Sequence, residues 1–483
     1  MVERLQAVLT RLGLGVSAAI VATVLFPVIW QRGSFASVLI AILFVATILA
    51  IMRRNCARSV FWCGFPAMVV AQLCCGYFLM VNYGSWDVWV VTRHGLKLAL
   101  GNEIYRPYFA LYPNNIGIML LFALIHKVVY VVCGIKSLYT LVVANIVTID
   151  LAMLLAVCLM RRLLGAERGW IVGVMMLFYL PFYLYVPICY TDTFCMPFAL
   201  GGMLLTVKLV DTPDEANWRG EIRLACLSGL LFFTGFLIKG SCVVFWMAAL
   251  LFFVLAMPLR KMIRASLVWL AVGIVGLLVW QAAIVRLIPH EQFERYKFPA
   301  THWIMMGLNA KGGGYNQEDV NYTKSAGDYK AKQKAVAQRI SERVSDLGLV
   351  GLLSHVQSKA VKHCWNYGTC YAERYLGDYG DKPRRVSALH QFVLTRGRYH
   401  AIMADFSMGI YIAVFVLAWL HMVRGCVVRD RSAGAMLVYA LVGGMLFFML
   451  WETHPRYSLH FMPVMFLLAG VELARCQRRG RHE

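Results

Sequence analysis

The chain has 483 residues, of which 60% are hydrophobic and only 15% charged, with a mean hydropathy of +0.64. A soluble protein of this size needs far more polar surface, so the composition excludes a soluble globular enzyme and requires a bundle of spanning helices. The net charge of +22 does not indicate a nucleic-acid partner, because most of the excess sits in short loops beside apolar runs, where membrane orientation explains it.

The apolar runs are long and flanked by Arg and Lys, so the first helix is expected to direct insertion without a removable signal peptide. Spanning segments are expected near 15–30, 34–52, 61–81, 138–160, 170–189, 192–210, 224–238, 242–257, 266–288, 404–423, 434–451 and 457–474. Most approach the roughly 20 residues needed to cross a hydrocarbon core. One further apolar stretch, 116–133, carries adjacent His126 and Lys127, which a lipid-facing span tolerates poorly.

Loop charge decides how that stretch is read. If 116–133 does not cross, one side collects Arg4 and Arg11; Arg53, Arg54 and Arg58; and Arg161, Arg162 and Arg168. The same side then receives Lys208, Arg219 and Arg223; Arg260, Lys261 and Arg264; Arg424, Arg429 and Arg431; and Arg475, Arg478, Arg479 and Arg481. Basic short loops belong in the cytoplasm. The expected fold is therefore an all-α polytopic membrane protein with about twelve spans, both termini cytoplasmic, and 116–133 as an interfacial helix. A bacterial cell membrane is the expected location.

In this arrangement 1–288 forms a transmembrane bundle with a first outer loop at 82–137, 289–403 an extracytoplasmic domain, and 404–483 the last helices. The domain is expected to be small and mainly helical: Gly312, Gly313 and Gly314 mark a loop, and Val336, Ile340, Val344 and Leu347 recur at helical spacing. A second amphipathic stretch runs from Leu349 to about Trp365. The domain holds 17 basic and 10 acidic residues, a net +7, which suits an anionic substrate or lipid headgroups equally.

Of the fourteen cysteines, none shows metal-ligand spacing. Cys364 and Cys370 lie in a polar segment facing an oxidising compartment, and a disulfide between them is left open.

Almost all the polar residues that stand out fall on the outer side. Asp87, just beyond a span and flanked by Trp86 and Trp89, is placed either to deprotonate a hydroxyl or to begin the helix that follows. Tyr108 and the run Tyr112, Pro113, Asn114, Asn115 suit both helix initiation and contact with a sugar ring. Asp192 sits in a corner too short to be a loop, as a helix cap or a site residue. Lys239 interrupts two slightly short apolar runs, at the depth of a lipid phosphate, where it either pairs with an anion or reaches the headgroups. Glu452, Thr453, His454, Arg456 and Tyr457 crowd one loop between two apolar helices. Arg offers a fixed fork for phosphate, although a Glu452–Arg456 pair that staples the loop is the alternative. Asp150, mid-span, is expected to hydrogen-bond a neighbouring helix.

In this order the residues resemble the C-type glycosyltransferase superfamily, particularly the bacterial family 39 proteins related to protein O-mannosyltransferases and the lipid A aminoarabinose transferase. The resemblance rests on Asp87; Tyr-Phe…Tyr-Pro-Asn-Asn-x-Gly from Tyr108 to Gly117; Tyr-Thr-Asp at 190–192; and the break at Lys239. It is completed by Thr-His-Trp-Ile-Met-Met-Gly-Leu at 301–308 and Glu-x-x-Pro-Arg-Tyr at 452–457.

The resemblance implies a membrane glycosyltransferase that takes a sugar from a polyprenyl-phosphate donor and passes it, with inversion, to an acceptor hydroxyl or amine. That acceptor is a cell-envelope glycan, polymer, lipid or protein. Asp87 is then the general base; Lys239, Arg456 and His454 contact the donor phosphate. Tyr108, Tyr112, Asn114, Asn115, Asp192, Glu452, Tyr457 and His302 line the sugar and acceptor pocket. O-mannosyltransferases carry two adjacent acidic residues in the first loop, whereas Asp87 stands between Trp86 and Val88, so neither a metal nor a cofactor is expected. His454 stands where relatives often carry Arg. The alternative reading is a transporter or flippase for a lipid-linked saccharide.

Overall fold

The computed structural model describes residues 2–82, 86–213, 218–378, 382–427 and 434–479. Tyr83, Gly84, Ser85, Arg429, Arg431 and Arg481, with the side chains of Arg4, Arg478 and Arg479, lie outside the described residues.

Helices α1 (Val2–Arg32), α2 (Phe35–Arg53) and α3 (Ala57–Phe78) open the chain. The α1–α2 turn is short because Ser34 caps α2: its hydroxyl accepts the Ser37 N–H at 3.0 Å. After β1 (Val81–Asn82) come α4 (Asp87–Ala99), α5 (Arg106–Leu111), α6 (Ile116–Cys133) and α7 (Tyr139–Leu164). The next region is broken: α8 (Trp170–Leu177) and α9 (Pro181–Leu184) precede α10 (Thr191–Phe194) and α11 (Met196–Asp211). A single span had been expected over 170–189. Pro181 and Pro187 lack the N–H a continuing helix needs, and the chain turns there instead.

Then follow α12 (Trp218–Ile238), α13 (Val243–Ala256) and α14 (Leu259–Leu287). Lys239 separates α12 from α13 in an extended conformation, φ −147°, as the short apolar runs on either side imply. Short helices α15 (His290–Tyr296), α16 (Thr301–Gly307) and α17 (Gln317–Ser325) lead to α18 (Tyr329–Lys359). Strand β2 (Lys382–Pro383) pairs antiparallel with β1, Val81 opposite Pro383. Helices α19 (His390–Val393), α20 (His400–Val427), α21 (Gly434–Leu450) and α22 (Met462–Arg479) complete the chain.

Among the described residues, ten helical segments are long and apolar enough to cross a membrane, with 240–256 and 434–450 as shorter apolar helices. The fold is thus helical and polytopic. One apolar core runs through the bundle from Val21 on α1 to Leu473 on α22. Asp150 does bond a neighbouring helix: Gln72 donates to it at 3.0 Å.

The bundle has two chemically distinct ends. At one, Arg58 and Arg161 lie over the Trp170 ring, Arg162 pairs with Asp211 at 2.9 Å, and Gln477 donates to Met52 O at 3.0 Å. The basic loops that sequence grouped on one side therefore meet in space. At the other end lie Lys239, Asp87 and the turn between α1 and α2.

Helix α6 has the length and apolarity of a span, and its N-terminal end lies at this second end of the bundle. Gly117 packs on the Leu237 carbonyl at the close of α12, where a β-carbon has no room. Five residues after Cys133, of reach about 17 Å, lead to Tyr139, whose hydroxyl accepts from Arg385, itself stacked on Tyr77 at the close of α3. Gly95 lets α4 press on Phe122 of α6.

Candidate active site

Asp87 begins α4, with extended Trp86 as the residue before the helix. This places the half-buried carboxylate between two tyrosines. Tyr108, from α5, donates to its Oδ1 at 2.5 Å; Tyr190, from the turn before α10, donates to its Oδ2 at 3.2 Å. Buried Asn115 ties the set together. Its Nδ2 donates to the Tyr108 hydroxyl at 2.7 Å, and its Oδ1 lies 2.8 Å from the Tyr190 hydroxyl. Burial and the adjacent Asp87 charge both push the Tyr108 phenol upward, so it stays a proton-bearing donor. Each Asp87 oxygen keeps a lone pair for a further hydrogen bond.

A cationic patch adjoins this carboxylate. Lys239 Nζ pairs with Asp192 Oδ1 at 2.8 Å, and Arg456 Nε lies 3.8 Å from Asp192 Oδ2. Two cations thus share one buried anion. Arg456 is only 8% exposed and is enclosed by aromatic faces: Trp86, Tyr190, Tyr375 and Tyr457, each within 5.5 Å of Cζ. Its Nε and Nη1 have no hydrogen-bond partner among the described residues. Such a guanidinium is held by ring quadrupoles and retains donors for an anion.

The loop after α21 is pinned by its backbone. Glu452 N–H donates to Trp303 O at 2.9 Å, and Thr453 N–H to Gly313 O at 3.1 Å. Lys359, at the end of α18, donates to Gly307 O at 2.8 Å and Trp451 O at 3.0 Å. Burial pulls its ammonium down to about 8. Glu452 accepts from the Tyr457 hydroxyl at 3.2 Å, while Arg456 turns to Asp192, so the two engage other partners. Burial pushes the Glu452 carboxyl up against the opposing pull of Arg456.

Of the residues singled out in the sequence, Asp87, Tyr108, Asn115, Asp192, Lys239, Glu452, Arg456 and Tyr457 form one connected network. Tyr112 joins its edge. Its ring centroid is 5.2 Å from that of Tyr108, and its phenol is pushed up by burial first, then by Tyr315 and the Asp87 charge. Three residues are placed differently. Asn114 is exposed, with its amide 3.5 Å from Asn115. His302 is buried against Phe298 and bonded to Thr323 at 2.8 Å. His454 bonds Tyr375 at 2.8 Å, and burial holds its imidazole well below the ordinary range. Cys364 and Cys370 are both free, buried thiols, the latter 3.1 Å from the Tyr179 hydroxyl.

Sequence reasoning missed the aromatic enclosure. Trp86 stands next to Asp87 and Tyr190 opens the Tyr-Thr-Asp motif, but neither was given this role; Tyr375, from a distant segment, gave no signal. Among the described residues no cluster of His, Cys, Asp and Glu fits a metal.

The sequence model of a family described as "conserved hypothetical integral membrane protein" matches residues 15–477. The chain belongs to this integral membrane protein family. No curated protein matches it. Among solved structures, it is similar to the crystal structure of ArnT from Cupriavidus metallidurans bound to undecaprenyl phosphate. That likeness covers 85% of this chain and 76% of the other, with 11% identity and a TM-score of 0.34. Membership accords with the ten candidate spans and puts the network described above in a membrane protein, at the end of the bundle away from the clustered basic loops.

Proposed function

We propose that this membrane protein transfers a sugar from a polyprenyl-phosphate donor to an acceptor hydroxyl or amine at the extracytoplasmic face. The carrying observation is the adjacency of a tyrosine-held carboxylate to a buried, partly unsatisfied cation pair. Asp87 and the Lys239–Arg456 patch meet through Tyr190, which bonds Asp87 and lies under the Arg456 guanidinium, 4.7 Å from its ring centroid to Cζ.

The reaction this arrangement suits is an inverting displacement. The acceptor oxygen bonds to the anomeric carbon as the bond from that carbon to the phosphate oxygen breaks. Asp87 takes the acceptor proton. The polyprenyl phosphate departs with the additional negative charge, which Lys239 and Arg456 neutralise. Fixed cations in a water-poor site need no reorganisation as that charge appears. Tyr108 and Tyr190 hold the carboxylate in register; Tyr112, Asn115 and Glu452 border the space for the sugar.

Incubating the purified protein with a panel of polyprenyl-phosphate sugars tests this. Consumption of one donor with release of polyprenyl phosphate supports the proposal. No consumption of any donor, in the presence of an envelope extract as acceptor source, refutes it.

A further inference from the structure

Gly348, at φ +58°, divides α18 into two arms of opposite character. The first arm exposes Lys330, Lys334, Glu342 and Asp346. Residues 349–358 contain no Asp, Glu, Lys or Arg, yet Leu349, Val350 and Leu353 are 75%, 81% and 59% exposed.

The arms fold back on one another. Arg343, before the glycine, donates to Met305 O; His355, after it, donates to Gly307 O at 3.0 Å. In a straight helix those residues would be about 18 Å apart. Here they reach carbonyls two residues apart, so the chain reverses at Gly348, where only a left-handed backbone allows it.

The second arm then lies against a spanning helix. Gln357 donates to Thr23 O at 3.3 Å. Thr23 is nine residues short of Arg32, about 13 Å along α1. The end of α1 is marked by Arg32, stacked on Tyr367, and by Trp30 and Phe35, both almost fully exposed as interfacial anchors are. The arm therefore contacts α1 well inside its span, with uncharged apolar side chains pointing outward.

We propose that residues 349–358 form a re-entrant helix embedded among lipid acyl chains at the site end of the bundle. This makes the 289–403 region part lipid-bound rather than wholly a water-facing cap. A helix satisfies its own backbone groups, so it can sit at that depth. Lys359, at the arm's end, bonds Gly307 O and Trp451 O, so the lipid-seated arm fixes the backbone leading into Glu452. The bilayer thereby supports one wall of the site.

A nitroxide-bearing amino acid placed at Val350 or Leu353, and separately at exposed Glu342, tests this in nanodiscs of phosphatidylethanolamine and phosphatidylglycerol. Oxygen, which partitions into lipid, should relax the labels at 350 and 353 several-fold more than a water-soluble nickel chelate does, with the order inverted at 342. Nickel relaxation dominating at both 350 and 353 would overturn the proposal.

Discussion

Replacing Lys239 by Met tests how the cation patch is built. The Lys239–Asp192 contact is 2.8 Å long, with side chains 11% and 2% exposed. Breaking such a pair by removing one partner leaves a buried charge and costs about 3–5 kcal/mol. Arg456, 3.8 Å from the other Asp192 oxygen, still compensates part of that charge, so the lower figure applies. With an unfolding entropy of about 2 cal/mol/K per residue over the chain, about 3 kcal/mol corresponds to a fall in Tm of about 3 °C. Asp192→Asn alone leaves Lys239 and Arg456 facing each other and should also destabilise. The double variant, lacking both members of the pair, should lose about 2 kcal/mol less than the sum of the two single losses. Thermal unfolding of the four proteins in nanodiscs measures this. Additive losses would show that Asp192 and Lys239 do not act as a pair.

Lys359 gives a pH signature. Its folded value near 8 lies below the ordinary 10.5, so between these values the folded state binds fewer protons than the unfolded one. Stability should therefore rise as pH increases from 8 to 10.5, and Lys359→Met should flatten that rise in Tm measured across the window. Gly117→Ala drives a methyl into the Leu237 carbonyl; it should displace Asn115 two residues away and cut both thermal stability and sugar transfer. Thr323→Val strands the His302 nitrogen and should cost about 1–3 kcal/mol, while leaving the KM for donor unchanged, because the ring bonds Thr323 and no member of the network. Non-reducing electrophoresis should show no Cys364–Cys370 crosslink in the folded protein.

Apolar length made the spans legible, and loop charge separated the two ends of the bundle, because both signals are written in consecutive residues. The break at Lys239 was legible too, since neither neighbouring run is long enough alone. The region 170–189 was misread as one span because composition is blind to where Pro181 and Pro187 interrupt hydrogen bonding. At the site, the ionisable residues declared themselves by being costly beside lipid. Their partners did not. That Asp192 takes Lys239, and that Trp86, Tyr190 and Tyr375 come from separate segments to enclose Arg456 beside Tyr457, are tertiary facts with no local pattern. His302 sits in a recognisable stretch, yet its ring turns inward to Thr323, a choice decided by packing among α16 and α17.

The most direct test of the account is Asp87→Asn, assayed by single-turnover transfer from the consumed donor alongside binding of polyprenyl phosphate. The account predicts loss of transfer by about 100-fold or more, as removal of a general base entails, with lipid-phosphate binding retained through Lys239 and Arg456. Transfer at the unaltered rate would contradict it.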